Sequence, residues 1–125
     1  MESLYSVKLG ELIKRFHLEV LRGCAGYEDV PICTEDVNRP GLQLTGFFDY
    51  FDPKRLQVIG RVEATYLEGL TADQRRESFE QLLSQNIPAL IISRGMEPFP
   101  ECMEMADKYD RTVLRSQDTT SVLMS

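Results

Sequence analysis

The stretch from Pro88 to Leu114 constrains the fold more than any other part of the chain. Pro88-Ala-Leu-Ile-Ile-Ser93 is a short, unbroken apolar run flanked by turn residues, the pattern of a strand covered on both faces rather than one half open to water. Arg94-Gly95 follows as a turn, then a helix predicted to start at Pro98 and run to about Tyr109, then a second strand from Thr112 to Leu114. A strand, a helix and a strand in that order make a β-α-β crossover, which within one sheet is parallel and right-handed. The chain is therefore expected to be α/β, with a mixed or parallel sheet flanked by helices.

At 125 residues there is room for one core, so residues 1–125 are read as a single small domain. Hydrophobic residues make up 42% of the chain, enough to build that core and to exclude wholesale disorder. The net charge is −6 and no basic cluster exceeds two residues, which argues against a nucleic-acid partner. The longest apolar run, Ala89 to Ile92, falls far short of the roughly 20 residues needed to span a bilayer, so no membrane partner is expected. Cys24, Cys33 and Cys102 are odd in number and match neither a dense disulfide framework nor a zinc spacing; a reducing cytoplasm fits them best.

Upstream, Ser6 is read as the cap of a helix carrying Val7, Leu9, Leu12, Ile13 and Phe16, and Leu18 to Leu21 as a short half-buried strand. Pro31 to Val37 is expected to form one strand, ended by the turn Asn38-Arg39-Pro40-Gly41. Pro40 then suits the start of a helix over Gly41 to Tyr50. Leu56 to Ile59 reads as a strand, and Val62 to Leu70 as a helix with Val62, Tyr66 and Leu70 on one side. Thr71 reads as the cap of a further helix whose stripe is Phe79, Leu82 and Leu83. Val122 and Leu123 fit either a terminal helix or a frayed end.

Chemistry-bearing residues are few. His17 has no partner at a recurring ligand spacing, and no metal site is expected. Cys102 lies near a helix start, but Glu101 and Glu104 oppose a thiolate there, so a buried thiol is the better reading. Neither G-x-x-x-x-G-K-[ST] nor G-x-G-x-x-G occurs, so the backbone cradle for a nucleotide's phosphates is missing and no catalytic residue is expected. Ligands of parallel sheets bind beyond the carboxyl ends of the strands. Ser93, Arg94 and Gly95 at one such end, with Arg115 and Ser116 at the next, are candidate anion contacts. Asp36, Asn38 and Arg39 form a second polar cluster at a turn, either binding a ligand or bonding their own backbone. Phe47, Phe48, Tyr50 and Phe51 cannot all face one way, so part of this run is expected at an interface.

Asp36-Val-Asn-Arg-Pro-Gly-Leu-Gln-Leu-Thr-Gly-Phe-Phe-Asp-Tyr-Phe51 resembles the N-terminal domain of HPr kinase/phosphorylase, whose corresponding stretch runs as D-[IV]-[SN]-R-P-G-L-x-[LM]-[AT]-G-[YF]-[FY]. The similarity continues through Arg55 to Gly60, Pro88 to Pro98, and Val113 to Ser116 with Thr119-Thr120 beyond. That family is similar in fold to the N-terminal domain of the Mur ligases. There a D-S-R motif helps bind a sugar nucleotide; Asp36-Val-Asn-Arg39 has one residue inserted and Asn38 in place of the serine.

The resemblance implies a noncatalytic regulatory or assembly domain of a bacterial cytoplasmic enzyme. The full enzyme phosphorylates and dephosphorylates a serine of the phosphocarrier HPr in carbon catabolite repression. ATP and Mg²⁺ would belong to a C-terminal P-loop domain, leaving no cofactor to this chain. The implied partners are that kinase domain, other subunits and, through the parent, HPr. The alternative is a stand-alone module sensing an anionic metabolite or a sugar nucleotide. The resemblance also implies a piece of a longer protein or a split gene.

Overall fold

The structure is a computed structural model that describes residues 6–119. Its elements are β1 (Val7–Lys8), α1 (Leu9–Arg15), β2 (Glu19–Arg22), a 3₁₀ turn (Tyr27–Asp29), β3 (Pro31–Ile32), β4 (Val37–Asn38), α2 (Gly41–Leu44) and β5 (Leu56–Ile59). They continue with α3 (Arg61–Glu68), α4 (Ala72–Leu83), β6 (Leu90–Ile92), α5 (Pro100–Tyr109) and β7 (Val113–Arg115). The main sheet has the order β2-β7-β6-β5-β4; β4 to β7 are mutually parallel, and β2 runs antiparallel to β7 at the edge. The α/β class and the C-terminal β-α-β unit are as expected.

Because β4, β5, β6 and β7 are added in one direction across the sheet, a single crossover hand places all their connecting helices on the same face. The side chains show this. Ile59, Leu90, Ile92 and Val113 point toward α2 to α5 and join Leu44, Leu67, Phe79, Leu82 and Met105. Their strand neighbours Val58, Ile91 and Leu114 point the other way, onto Leu9, Leu12 and Ile32. Both faces of β5 and β6 are thus covered, which is why β6 reads as a continuous apolar run and why even Gln57 of β5 is buried. The opposite layer is completed by a two-stranded ribbon in which β1 pairs antiparallel with β3.

Local capping accounts for the helix that sequence reads best. Thr71 Oγ1 accepts from the Gln74 N–H at 3.2 Å, and Gln74 Oε1 reaches back to the Thr71 N–H at 3.0 Å, closing a capping box. Elsewhere tertiary pairing overrides local expectation. Val7 and Lys8 are taken into the ribbon, so α1 starts at Leu9 with Lys8 rather than Ser6 before it. The segment from Pro31 to Val37 is not one strand. The Asp36 N–H bonds Thr34 Oγ1 at 3.1 Å in a turn that sends β3 and β4 to different sheets.

The helix after Pro40 lasts a single turn. The Thr45 hydroxyl and the Phe47 N–H both bond Leu42 O, at 2.6 and 3.1 Å, and Gly46 takes φ +97°, a left-handed exit that ends the helix. The last helix begins at Pro100 rather than Pro98, with Pro100 in the first helical position, where its missing N–H costs nothing. On α3 the buried face is Glu63, Ala64 and Leu67, while Val62 and Tyr66 face solvent. Val122 and Leu123 lie outside the described residues.

Ion pairs tie the helical layer together. Glu80 of α4 accepts from Lys108 Nζ and, at 2.8 Å, from Tyr109 Oη of α5. These bonds, Lys108 first and Tyr109 second, hold its carboxyl below the ordinary range. Arg22 of β2 reaches Asp110 at 2.9 Å, and that bond, with the Ala25 N–H after it, holds Asp110 low as well. A carboxyl lowered on folding stabilises the fold above its unfolded value, about 4, and that contribution disappears as pH falls through the folded value. The melting temperature is therefore expected to be flat from neutral pH down to about 5 and to fall below that. Glu80→Gln should flatten the acid limb in a scanned pH series; an unchanged limb would mean that Glu80 is not one of the groups taking up the proton.

Candidate functional site at the carboxyl edge of the sheet

Each parallel strand ends in an arginine or runs into one within two residues: Arg39 after β4, Arg61 after β5, Arg94 after β6, and Arg115 closing β7. Given the strand order, the four cross one edge of the sheet, on an otherwise acidic chain. Their partners separate them into two classes.

Arg115 is held by Glu19, with Nε and Nη2 donating at 3.0 and 3.1 Å, and by Glu97 at 3.2 Å. These bonds, Glu19 foremost, raise the guanidinium further above its ordinary value. Arg39 donates through Nε and Nη2 to Glu63 Oε1 at 3.2 and 2.9 Å. Arg61 and Arg94, at the ends of the two central strands, have no side-chain partner among the described residues.

The strand ends around Arg94 are rigidly built. Arg94 and Gly95 both occupy the left-handed region, at φ +61° and +63°. Their N–H groups donate to Asp118 O and Ser116 O, each at 2.7 Å, which stitches the turn after β6 to the exit of β7. Glycine suits position 95 because its backbone is left-handed; the Gln117 side-chain end, 2.4 Å from where a Cβ would stand, is flexible and could move aside. Ser93 and Ser116 are buried; Ser93 Oγ donates to Ile59 O at 2.9 Å, and Ser116 Oγ accepts from the Asp118 N–H at 3.0 Å. The five residues Ser93, Arg94, Gly95, Arg115 and Ser116 thus come together. Within the group both hydroxyls serve the fold, Arg115 is neutralised, and Arg94 is displayed.

Asn38 and Arg39 also serve the fold. Asn38 Nδ2 donates to Gln43 Oε1 at 3.0 Å and to Gln57 Oε1 at 2.7 Å, and Gln57 Nε2 donates to Arg55 O at 2.9 Å. Gln57 is fully buried, so these bonds replace the water it has lost. The buried Glu63 accepts from the Gly60 N–H at 2.6 Å, capping α3 while pairing with Arg39. Asp36 stands apart, exposed and 3.8 Å from Arg55. Glu63, Gln43 and Gln57 were not singled out from sequence. An acid three residues past Gly60 and a glutamine inside Leu-Gln-Val-Ile were the available signals.

Between α3 and the loop joining β6 to α5 lies a cavity of about 370 Å³. Ile59, Ile92, Phe79 and Cys102 belong to its lining, as do Ala64 and Glu68 of α3 and the loop from Met96 to Pro100. Burial, with Glu101 adding to it, pushes the Cys102 thiol up to about 12, so it is a neutral part of the lining and not a nucleophile. In the aromatic run, Phe51 packs onto the helical core with Phe48 edge-on to it at 5.4 Å, while Phe47 and Tyr50 stand in solvent. Among the described residues no helix is long and apolar enough to cross a membrane.

Compared with known proteins, residues 7–125 match the family described as HPr Serine kinase N terminus. The chain belongs to that family. It is 42% identical over 122 residues to an HPr kinase/phosphorylase of Caldicellulosiruptor bescii, covering 98% of this chain and 39% of that protein. It is 46% identical over 120 residues to one of Clostridium botulinum (strain Alaska E43 / Type E3), covering 96% of this chain and 39% of the relative. The chain thus spans about two fifths of the length of these curated relatives, matching their N-terminal part.

Among solved structures it is similar to the crystal structure of the CBS and DRTGG domains of the regulatory region of Clostridium perfringens pyrophosphatase, complexed with the activator diadenosine tetraphosphate. The TM-score is 0.63 at 15% identity, over 93% of this chain and 44% of that one. At that identity the likeness establishes the α/β fold.

Proposed function

We propose that this chain acts as the noncatalytic regulatory or assembly domain of an HPr kinase/phosphorylase, working in the cytoplasm in carbon catabolite repression. The supporting observation is the extent of the family match. It takes in residues 7–125 and corresponds to 39% of the relatives' length, while the sequence contains no glycine-rich phosphate loop with its lysine. In this reading ATP, Mg²⁺ and the HPr serine are handled by a separate kinase domain, and this domain contacts that domain or neighbouring subunits.

Incubating the chain with HPr, ATP and Mg²⁺ should yield no phosphoserine. Added in trans to the separately produced remainder of the Clostridium botulinum relative, the chain should change its phosphotransfer rate or its sedimentation. Phosphotransfer by the chain alone would overturn the noncatalytic assignment. No change in either property of the remainder would overturn the regulatory and assembly role.

A further inference from the structure

The outer face of α3 has no role in the fold, and the family match does not use it. With about 100° between successive residues, Glu63, Ala64 and Leu67 turn inward, and the outward half carries Arg61, Val62, Thr65, Tyr66, Glu68 and the closing Gly69. Two neighbours fix how this face is oriented. On one side lies α2, since Glu63 bonds Arg39 just before it and Tyr66 shares a groove with Leu44 and Thr45. On the other lies the carboxyl-edge cavity, bordered by Ala64 and Glu68.

The side toward α2 is apolar. Val62 is 69% exposed and Tyr66 40%; on α2, Leu42 is 62% exposed, and Phe47, whose N–H bonds Leu42 O at 3.1 Å, is 46% exposed. These are four of the seven large apolar side chains exposed among the described residues, gathered on two adjacent elements. Single exposed apolar residues are ordinary on a monomer, whereas a cluster bordered by charge marks a contact surface.

The side toward the cavity is charged in a self-matching way. Arg61 and Glu68 stand at opposite ends of α3, within about 20° of each other around its axis and about 10 Å apart along it. Neither side chain has a partner among the described residues. A second copy laid antiparallel on this face supplies both partners. A two-fold axis through the middle of α3 reverses the helix direction and keeps each flank on its own side, so Arg61 of each copy meets Glu68 of the other. The Leu42, Val62 and Tyr66 flanks close on each other by the same operation. A parallel arrangement would instead set Arg61 against Arg61.

We propose that two copies of this chain associate through an antiparallel α3–α3 contact, with Arg61 of each opposite Glu68 of the other and Leu42, Val62 and Tyr66 forming its apolar part. This goes beyond the proposed function, because it concerns the chain with itself and holds with no kinase domain present. The helix has 8 residues, a length of about 12 Å, so the contact belongs to the small, reversible class, with a dissociation constant on the order of 100 µM.

The test is sedimentation equilibrium of the chain from about 10 µM to about 1 mM, with a reductant present so that the exposed Cys33 forms no disulfide. A reversible monomer–dimer equilibrium is expected. Arg61→Glu and Glu68→Arg, both at exposed positions, should each weaken it at least about tenfold by setting like charges opposite each other. Both variants should fold, since an acid in the first turn of a helix and a base in the last suit its dipole. Mixed in equal amounts, the two should form a heterodimer about as tightly as the unaltered chain dimerises, because every facing pair is then opposite in sign. Val62→Asp should abolish association.

A chain that stays monomeric at about 1 mM would overturn the inference. So would a dimer indifferent to Val62→Asp or to both charge variants, or a pair of charge variants that fail to associate when mixed.

Discussion

Glu63→Ala is expected to destabilise the domain by about 3 kcal/mol, lowering the urea midpoint by roughly 1.5 M. One buried carboxylate oxygen takes the Gly60 N–H at 2.6 Å and two donors of Arg39. Removing it strands an amide at the start of α3 and leaves the guanidinium at the end of β4 without its counter-charge. Buried groups that lose such a partner incur most of their desolvation penalty. Glu63→Gln keeps an acceptor for Gly60 and loses only the charge, so it should cost about half as much. A loss below about 1 kcal/mol for the alanine variant would mean that the carboxylate does not hold this junction.

Phe79→Ala should cost about 4 kcal/mol and lower the melting temperature by roughly 15 °C. Phe79 is fully buried in the helix-side core, with Phe99 tilted against it at a centroid distance of 6.3 Å. It also lines the carboxyl-edge cavity, so truncation enlarges a space that already exists instead of opening one that neighbours could collapse into. The penalty for a void grows with the void, which places this site toward the upper part of the range for Phe→Ala. Phe79→Leu retains most of the volume and should cost about 1.5 kcal/mol. Calorimetry of the two variants side by side separates lost volume from lost aromatic contact. Equal losses would put the effect on the ring contact with Phe99 rather than on the cavity.

The regions legible in sequence are those whose signals act within a turn or a strand. The apolar run before Ser93, the Thr71 cap and the inward stripe of Phe79, Leu82 and Leu83 each need only neighbours three or four residues away. Misreadings cluster where a distant segment competes. Val7 and Lys8 have helix-compatible neighbours, yet they pair with Ile32 and Pro31 in the ribbon. Leu42, Leu44, Phe47 and Phe48 show an apolar spacing that would suit a longer helix, but the Thr45 hydroxyl and Gly46 close it after one turn.

At the candidate site, sequence placed Ser93, Arg94, Arg115 and Ser116 correctly at strand ends. It could not show that Glu19 and Glu97 neutralise Arg115, because Glu19 lies 96 residues away on the antiparallel edge strand. Arg61 gave no motif signal, and it stands out only once its strand is seen beside that of Arg94.

By itself the sequence determined the α/β class, the β-α-β unit, the Thr71 cap and, through ordered motif blocks, the family, since each is written in local periodicity, local hydrogen bonding or residue identity. Tertiary structure alone decided that Asn38 meets Gln57 across 19 residues, that Arg39 meets Glu63 across 24, and that Arg115 meets Glu19 across 96. Those outcomes follow from strand order and register. A side chain's partner across a sheet depends on which strand lies alongside it, and the residues next to it in the chain carry no record of that.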